Sequence, residues 1–197
     1  MKILLIRHGE TDWNKQGRFQ GREDIPLNET GRQQALICGQ ALKGESYAAV
    51  VSSPLVRAKK TAEIIAETVG VSEILIEEDL IERDFDKISG MTPEERKAFL
   101  ASGQEDNKEP MGVVRDRMIK CIEKCAKAFD EDIILVTHGA SIRAVLDEFT
   151  DGVITSQKII LKNTCISILE YEKGVLRLGP YNLSSEEYRK LRTGRLE

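Results

Sequence analysis

Two aliphatic runs in the chain end alike: Ile3-Leu4-Leu5-Ile6 leads into Arg7-His8-Gly9, and Ile133-Ile134-Leu135-Val136 leads into Thr137-His138-Gly139. Runs without polar alternation read as strands buried on both faces, as in parallel sheets. Strand-like segments near 2–7, 48–52, 73–77 and 132–137 alternate with helical periodicity near 29–43, 54–69, 112–129 and 140–149. This alternation predicts an α/β fold with a mostly parallel central sheet. Segments 164–171 and 174–178, separated by Glu172-Lys173, read as a late hairpin that completes the sheet. The pattern does not specify the strand order.

Polar punctuation sets the helix starts. Ser53-Pro54 predicts an N-cap and first helical residue, which puts Arg57 on the first turn after the strand at 48–52. Thr92-Pro93-Glu94-Glu95 and Ser184-Ser185-Glu186-Glu187 are capping boxes that open two further helices. Gly103 to Pro110 is polar and reads as a mobile loop. Residues 87–111 read as an excursion over the sheet edge, a short lid on a single domain spanning 1–197. Leu196-Glu197 is set aside as an appended pair.

Composition narrows the classes. With 197 residues, 41% of them hydrophobic, the chain can bury one sizeable core. A net charge of -4 offers no general attraction to nucleic acid or anionic membrane, so any anion site must come from local Arg and His. The first residues are strand-like rather than a basic stretch before an apolar core. No apolar run approaches the ~18 residues that span a bilayer, so the expected location is the cytoplasm. Cys38, Cys121, Cys125 and Cys165 lack paired CxxC spacing and are expected as reduced thiols in the core, with no metal site.

His8 and His138 are the only histidines, and both follow strand ends. Parallel sheets bind ligands beyond the carboxyl ends of their strands, so both imidazoles are expected to face one crevice. Arg7 and Arg57 join them, supplying forked donors that match phosphate oxygens. Helix N-termini near Pro54 and Gly139 are expected to add backbone donors. Such a cluster suits a phosphoryl group, with neutral His8 as nucleophile and the arginines stabilising the transferred oxygens. The leaving alkoxide needs a proton, and Glu82, Asp84 and Asp86 are all placed to supply it.

Arg7-His8-Gly9-Glu10-Thr11-x-x-Asn14 resembles the Arg-His-Gly-Glu-[Ser/Thr] signature of the histidine phosphatase superfamily, which includes cofactor-dependent phosphoglycerate mutases. Gly17 to Gly21, Pro26-Leu27-Asn28-Glu29-x-Gly31, Ser52-Ser53-Pro54-x-x-Arg57-Ala58, Leu80-x-Glu82-x-x-Phe85 and Thr137-His138-Gly139 follow in the family's order. The resemblance implies a three-layer α/β/α sandwich, phosphoglycerate mutase-like, and a phosphohistidine mechanism that uses neither metal nor cofactor. It implies His8 as nucleophile, Glu82 as acid, and Arg7, Asn14, Arg57 and His138 around the phosphate. It further implies an amide from Gly21 and support from Thr11. The acidic block departs from the family pattern: Phe/Tyr-Gly becomes Phe85-Asp86, and Glu/Gln-Gly becomes Ser89-Gly90. Glu109-Pro110-Met111-Gly112 replaces the usual Gly-Glu-Ser.

Mutases of the family hold a sugar-acid phosphate with a tandem arginine in a longer insertion. No Arg-Arg pair occurs here, and only Glu82-Arg83 is mutase-like. The expected activity is therefore hydrolysis of a small phosphorylated metabolite with release of inorganic phosphate. A phosphotransferase and a phosphate-binding module without turnover stand as alternatives. Asn14 alone could simply brace its loop, Trp13 reads as packing, and Arg18 and Arg22 could steer anions or only solvate the loop. Oligomeric state is not legible.

Overall fold

The computed structural model describes residues 1–194; Leu196-Glu197 lies outside the described residues. In chain order the elements are β1 (Lys2–Arg7), α1 (Asp12–Lys15), α2 (Glu29–Leu42), β2 (Ala49–Ser52), α3 (Val56–Val69) and β3 (Ile74–Ile76). They continue with α4 (Pro93–Ala101), α5 (Met111–Ala128), β4 (Ile133–Thr137), α6 (Gly139–Phe149), α7 (Val153–Ser156), β5 (Ile166–Glu172), β6 (Val175–Leu178) and α8 (Ser185–Arg192).

Six strands form one sheet in the order β3-β2-β4-β1-β5-β6. The first four are parallel, and β5 and β6 add an antiparallel edge. Successive strand side chains point to opposite faces, which sorts the aliphatic runs into two cores. Ile3, Leu5, Ile133 and Leu135 pack under α5 and α6, whereas Leu4, Ile6, Ile134 and Val136 pack under α2, α3 and α8. On α5, Val114, Met118, Cys121, Ile122 and Cys125 recur at the spacing of one helix face. Each such side chain, fully buried, contributes about 1.5–3 kcal/mol before entropy is subtracted. The result is a three-layer α/β/α sandwich, and all four cysteines are buried within it.

Register brings the functional ends together. Arg7 pairs with Thr137 across β1 and β4, and Ser52 pairs with Val136 across β2 and β4. His8 N then donates to Thr137 O at 2.9 Å, and Ser53 N donates to Val136 O at 3.0 Å. His8, His138 and Ser53 therefore leave three adjacent strands at one level. The loop after β1 can turn there because Gly9 and Gly31 let two backbones touch. A Cβ built on Gly9 would lie 2.3 Å from Gly31 O, and one on Gly31 would lie 2.1 Å from Glu10 O.

Several boundaries differ from the sequence expectation. α3 begins at Val56, not at Pro54, with Leu55 extended at its N-cap. Ser53 Oγ lies 2.7 Å from His138 Nε2, and the Val56 amide donates instead to Asp24 Oδ1 at 2.7 Å. A side chain from a distant loop thus takes the cap, while Arg57 stays on the first turn. The hairpin turns at Lys173-Gly174, with φ of 51° and 84°, one residue later than expected. This is the pair of left-handed residues that a two-residue hairpin turn needs.

Within residues 87–111, the segment 90–95 is tied to the loop after β1. Phe19 N donates to Met91 O at 2.9 Å, Gly90 N donates to Phe19 O at 2.7 Å, and Arg18 bonds Glu95 at 2.9 Å. The stretch from Gly103 to Pro110, read as mobile, is held by side chains. Asp106 accepts from Arg96 and Lys108, and Glu109 accepts from Arg117 and the Asp84 amide. Polarity there reflects ion pairing, not only solvation.

Candidate functional site

His8 sits just past β1 and is 2% exposed. Its Nδ1 lies 2.6 Å from Gly9 O, and a carbonyl can only accept, so the ring proton belongs on Nδ1. Nε2 is left with its lone pair free. Burial, and then the Arg57 and Arg7 cations, hold the His8 pKa well below its ordinary value. His138 is fully buried with its ring centroid 5.2 Å away, and burial followed by the Arg57 and Arg7 charges keeps it neutral in the same way.

The two arginines are bound along one edge only. Arg7 NH1 donates to Leu161 O at 2.5 Å. Arg57 is fully buried, and its NH1 and NH2 donate to Glu23 O at 2.6 Å and Gly21 O at 2.7 Å. Burial draws the Arg57 pKa down to about 10. Among the described residues, Arg7 Nε, Arg57 Nε and His138 Nδ1 are buried without a hydrogen-bond partner. Buried polar atoms are nearly always satisfied, so three nitrogens left without partners near a neutral imidazole are groups that a bound ligand can satisfy.

Asn14 is oriented by what its oxygen accepts. Asn14 Oδ1 receives Thr11 N at 3.2 Å, Thr11 Oγ1 at 3.2 Å and Asn163 Nδ2 at 3.3 Å. With its acceptor occupied, its amide NH₂ is the end left for the pocket. Bracing the loop and serving the pocket are thus compatible uses of one side chain. Asn163 also donates to His8 O at 3.0 Å. Nothing in the sequence pointed to Asn163, which comes from the loop before β5, 149 positions after Asn14.

Glu82 is 7% exposed and lies at the start of α6. Its Oε1 accepts from Arg83 N at 2.9 Å and from Ser141 N and Ser141 Oγ, both at 3.0 Å, while Oε2 accepts only Ala140 N at 3.1 Å. The helix N-termini carry carboxylates of the chain itself beside the Gly139 amide. The second and third amides of α6, Ala140 and Ser141, serve Glu82, and the Val56 amide of α3 serves Asp24. Oε2 is the less committed oxygen. Asp84 and Asp86, the other two acid candidates, do not line this pocket.

Arg7, His8, Asn14, Gly21, Arg57, Glu82 and Gly139 line one cavity of about 250 Å³; His138 is not among its lining residues, and its ring stands next to that of His8. Gly21 presents its carbonyl to Arg57, so the contact found there is not through the amide. A Cβ on Gly139 would lie 3.3 Å from Arg7 Nε, so a side chain there would crowd the orphaned nitrogen. Arg18, Phe19, Phe85, Arg143 and Ile160 line the same cavity. Arg22 pairs with Asp84 and Glu109 and stays outside this cavity. Trp13 packs on Gly90. Asp86, where the family pattern has glycine, adopts φ 46°, a left-handed conformation that Asp tolerates better than most residues.

The buried neutral histidines have a consequence for stability. In the unfolded chain they titrate near 6.5, and in the folded chain well below it. Between those values the unfolded state binds more protons, so the stabilisation is complete above pH 6.5 and is lost as pH falls. The slope is up to about 1.4 kcal/mol per pH unit for each histidine. Denaturant titrations from pH 7 to 5 should show His8→Asn losing stability less steeply than wild type; parallel slopes would contradict neutral burial of His8.

Comparison with known proteins places these features in context. Residues 3–184 match the family model of the histidine phosphatase superfamily (branch 1). An uncharacterized phosphatase, PhoE, of Bacillus subtilis is 39% identical over 93% of this chain and 95% of its own. A metal-independent phosphoserine phosphatase of Arabidopsis thaliana is 40% identical over 77% of this chain and 69% of its own. The crystal structure of a phosphoserine phosphatase from Entamoeba histolytica, in complex with 3-phosphoglyceric acid, superposes with a TM-score of 0.78 at 30% identity. It covers 92% of this chain and 96% of that one.

Proposed function

Because the chain belongs to the histidine phosphatase superfamily, branch 1, we propose that it is a phosphomonoesterase that hydrolyses a small phosphorylated metabolite through a phosphohistidine on His8. The observation that carries this reading is the set of orphaned nitrogens on Arg7, Arg57 and His138 beside a neutral His8 whose Nε2 lone pair is free. Nε2 attacks phosphorus, the ester P–O bond breaks, and Glu82 gives its proton from Oε2 to the departing alkoxide. Water then attacks the phosphohistidine, Glu82 takes the proton, and inorganic phosphate leaves with His8 neutral again. Splitting one displacement into two in this way is the gain from covalent catalysis.

Arg7, Arg57, Asn14 and His138 hold the three phosphoryl oxygens, with the backbone amide of Gly139 alongside, while Gly21 orients Arg57 through its carbonyl. No metal or cofactor takes part in this scheme; the pocket's arginines supply the positive charge. Residues 87–111 act as the pocket's lid on a single domain.

Hydrolysis is favoured over return of the phosphoryl group to substrate because no tandem arginine occurs in the chain, and the arginines of the mutase-like positions are engaged elsewhere. Arg96 is paired with Asp106 at 2.5 Å, and Arg83 donates to Glu109 O at 2.6 Å. The test is hydrolysis of p-nitrophenyl phosphate in excess chelator. Release of p-nitrophenol at an undiminished rate is expected. Loss of activity with chelator would contradict the metal-free scheme, and phosphate binding without turnover of any monoester would favour a binding module. Conversion between phosphoglycerate isomers exceeding hydrolysis would favour a mutase.

A further inference from the structure

Ser53 follows β2 directly, one strand over from His138, and both are fully buried. Ser53 Oγ lies 2.7 Å from His138 Nε2 and accepts a long bond from Leu55 N at 3.4 Å. We infer that Ser53 is a positioning residue: its hydroxyl donates to His138 Nε2, fixes the ring as the Nδ1–H tautomer, and so makes His138 a hydrogen-bond donor to the phosphoryl group. The identity of the acceptor rests on the phosphatase reading; the tautomer does not.

The argument is an accounting of protons. A neutral imidazole carries one N–H, and a serine hydroxyl carries one O–H. Leu55 N is a donor and occupies a lone pair of Ser53 Oγ, which leaves the hydroxyl hydrogen to be placed. If Nε2 donated to Oγ, that hydrogen would have no acceptor among the contacts of the described residues. His138 Nδ1 would then turn a lone pair toward the anion, where phosphate oxygens repel it. With the hydroxyl donating to Nε2, both problems vanish, and the orphaned Nδ1 becomes a donor that only the ligand satisfies. His138 stays neutral because burial and then the Arg57 and Arg7 charges oppose its protonation, so the choice of tautomer matters.

His8 shows the same logic with a different partner: Gly9 O fixes the proton on Nδ1 and frees Nε2 to attack. The two rings share one tautomer and opposite duties, the nucleophile presenting its bare nitrogen and His138 its protonated one. Ser53 therefore does for His138 what a backbone carbonyl does for His8.

The test is ¹⁵N NMR of histidine-labelled protein. With two histidines in the chain, the resonances that persist in His8→Asn belong to His138. Wild type should show His138 as the Nδ1–H tautomer, with Nε2 unprotonated. Ser53→Ala should mix the tautomers, weaken binding of inorganic phosphate and lower kcat/KM about ten- to a hundredfold, the scale of one hydrogen bond to a charged group. Ser53→Thr, which keeps the hydroxyl, should restore both. An Nε2–H tautomer in wild type, or Ser53→Ala with unchanged tautomer and phosphate affinity, would overturn the inference. The wild-type spectrum decides even if neither variant folds. If wild type shows the Nδ1–H tautomer yet neither binds phosphate nor hydrolyses monoesters, the phosphatase reading fails and the donor role falls with it.

Discussion

His8→Ala is expected to cut turnover of p-nitrophenyl phosphate by on the order of ten-thousand-fold or more, because it deletes the atom that attacks phosphorus. Among the described residues no other nucleophile stands in its place: His138 is turned so that Nε2 meets Ser53 and Nδ1 is the orphan. The cations that hold phosphate remain, so affinity for inorganic phosphate should change far less than the rate. Steady-state kinetics and phosphate titration on the same preparation check both halves. A variant that keeps more than a few per cent of wild-type turnover would show that His8 is not the nucleophile.

Glu82→Gln carries the second large effect, and it depends on the leaving group. For alkyl monoesters, whose alkoxides need a proton, the loss should reach about a hundred- to ten-thousand-fold, the usual range for general acid catalysis. For p-nitrophenyl phosphate, whose leaving group is already stable, it should be small. The comparison is needed because Glu82 also holds the start of α6. Glutamine can keep Oε1 for Arg83 N and Ser141, but its NH₂ then faces the Ala140 amide and one hydrogen bond is lost. That local cost, about 1–3 kcal/mol of stability, falls equally on every substrate. Equal rate losses for alkyl and aryl esters would therefore mean that Glu82 is structural only.

Much of the sheet was legible because buried parallel strands must be apolar on both faces, and β1 and β4 declare themselves as unbroken aliphatic runs. Thr92 and Ser184 announced α4 and α8 because each cap and its reciprocal glutamate are three residues apart, within reach of sequence reading. The strand order was not legible, since ladders are made by backbone groups that every residue carries. α1 and α7, four residues each, are too short to show a period. α3 was misplaced because its cap comes from Asp24, 32 positions earlier.

The candidate site divides along the same line. Arg7, His8 and His138 stand at strand ends in the sequence itself, and register does the rest. What sequence could not supply is contact between distant loops: Asn163 on Asn14, Ser53 on His138, and Glu82 on the amides of Ala140 and Ser141. The local motif suggested Ser53 as a helix cap, and tertiary pairing gave its hydroxyl to a ring one strand away. The helix N-termini were read as anion sites from position alone, and position did not show that Glu82 takes the Ala140 and Ser141 amides or that Asp24 takes the Val56 amide.

The account turns on a covalent bond to His8, and a rapid-quench experiment with ³²P-labelled monoester in excess chelator tests it most directly. Wild type should carry acid-labile, base-stable label on a time scale set by turnover, up to one equivalent per chain, and His8→Ala should carry none. An enzyme that turns over under the same conditions while remaining unlabelled would contradict it.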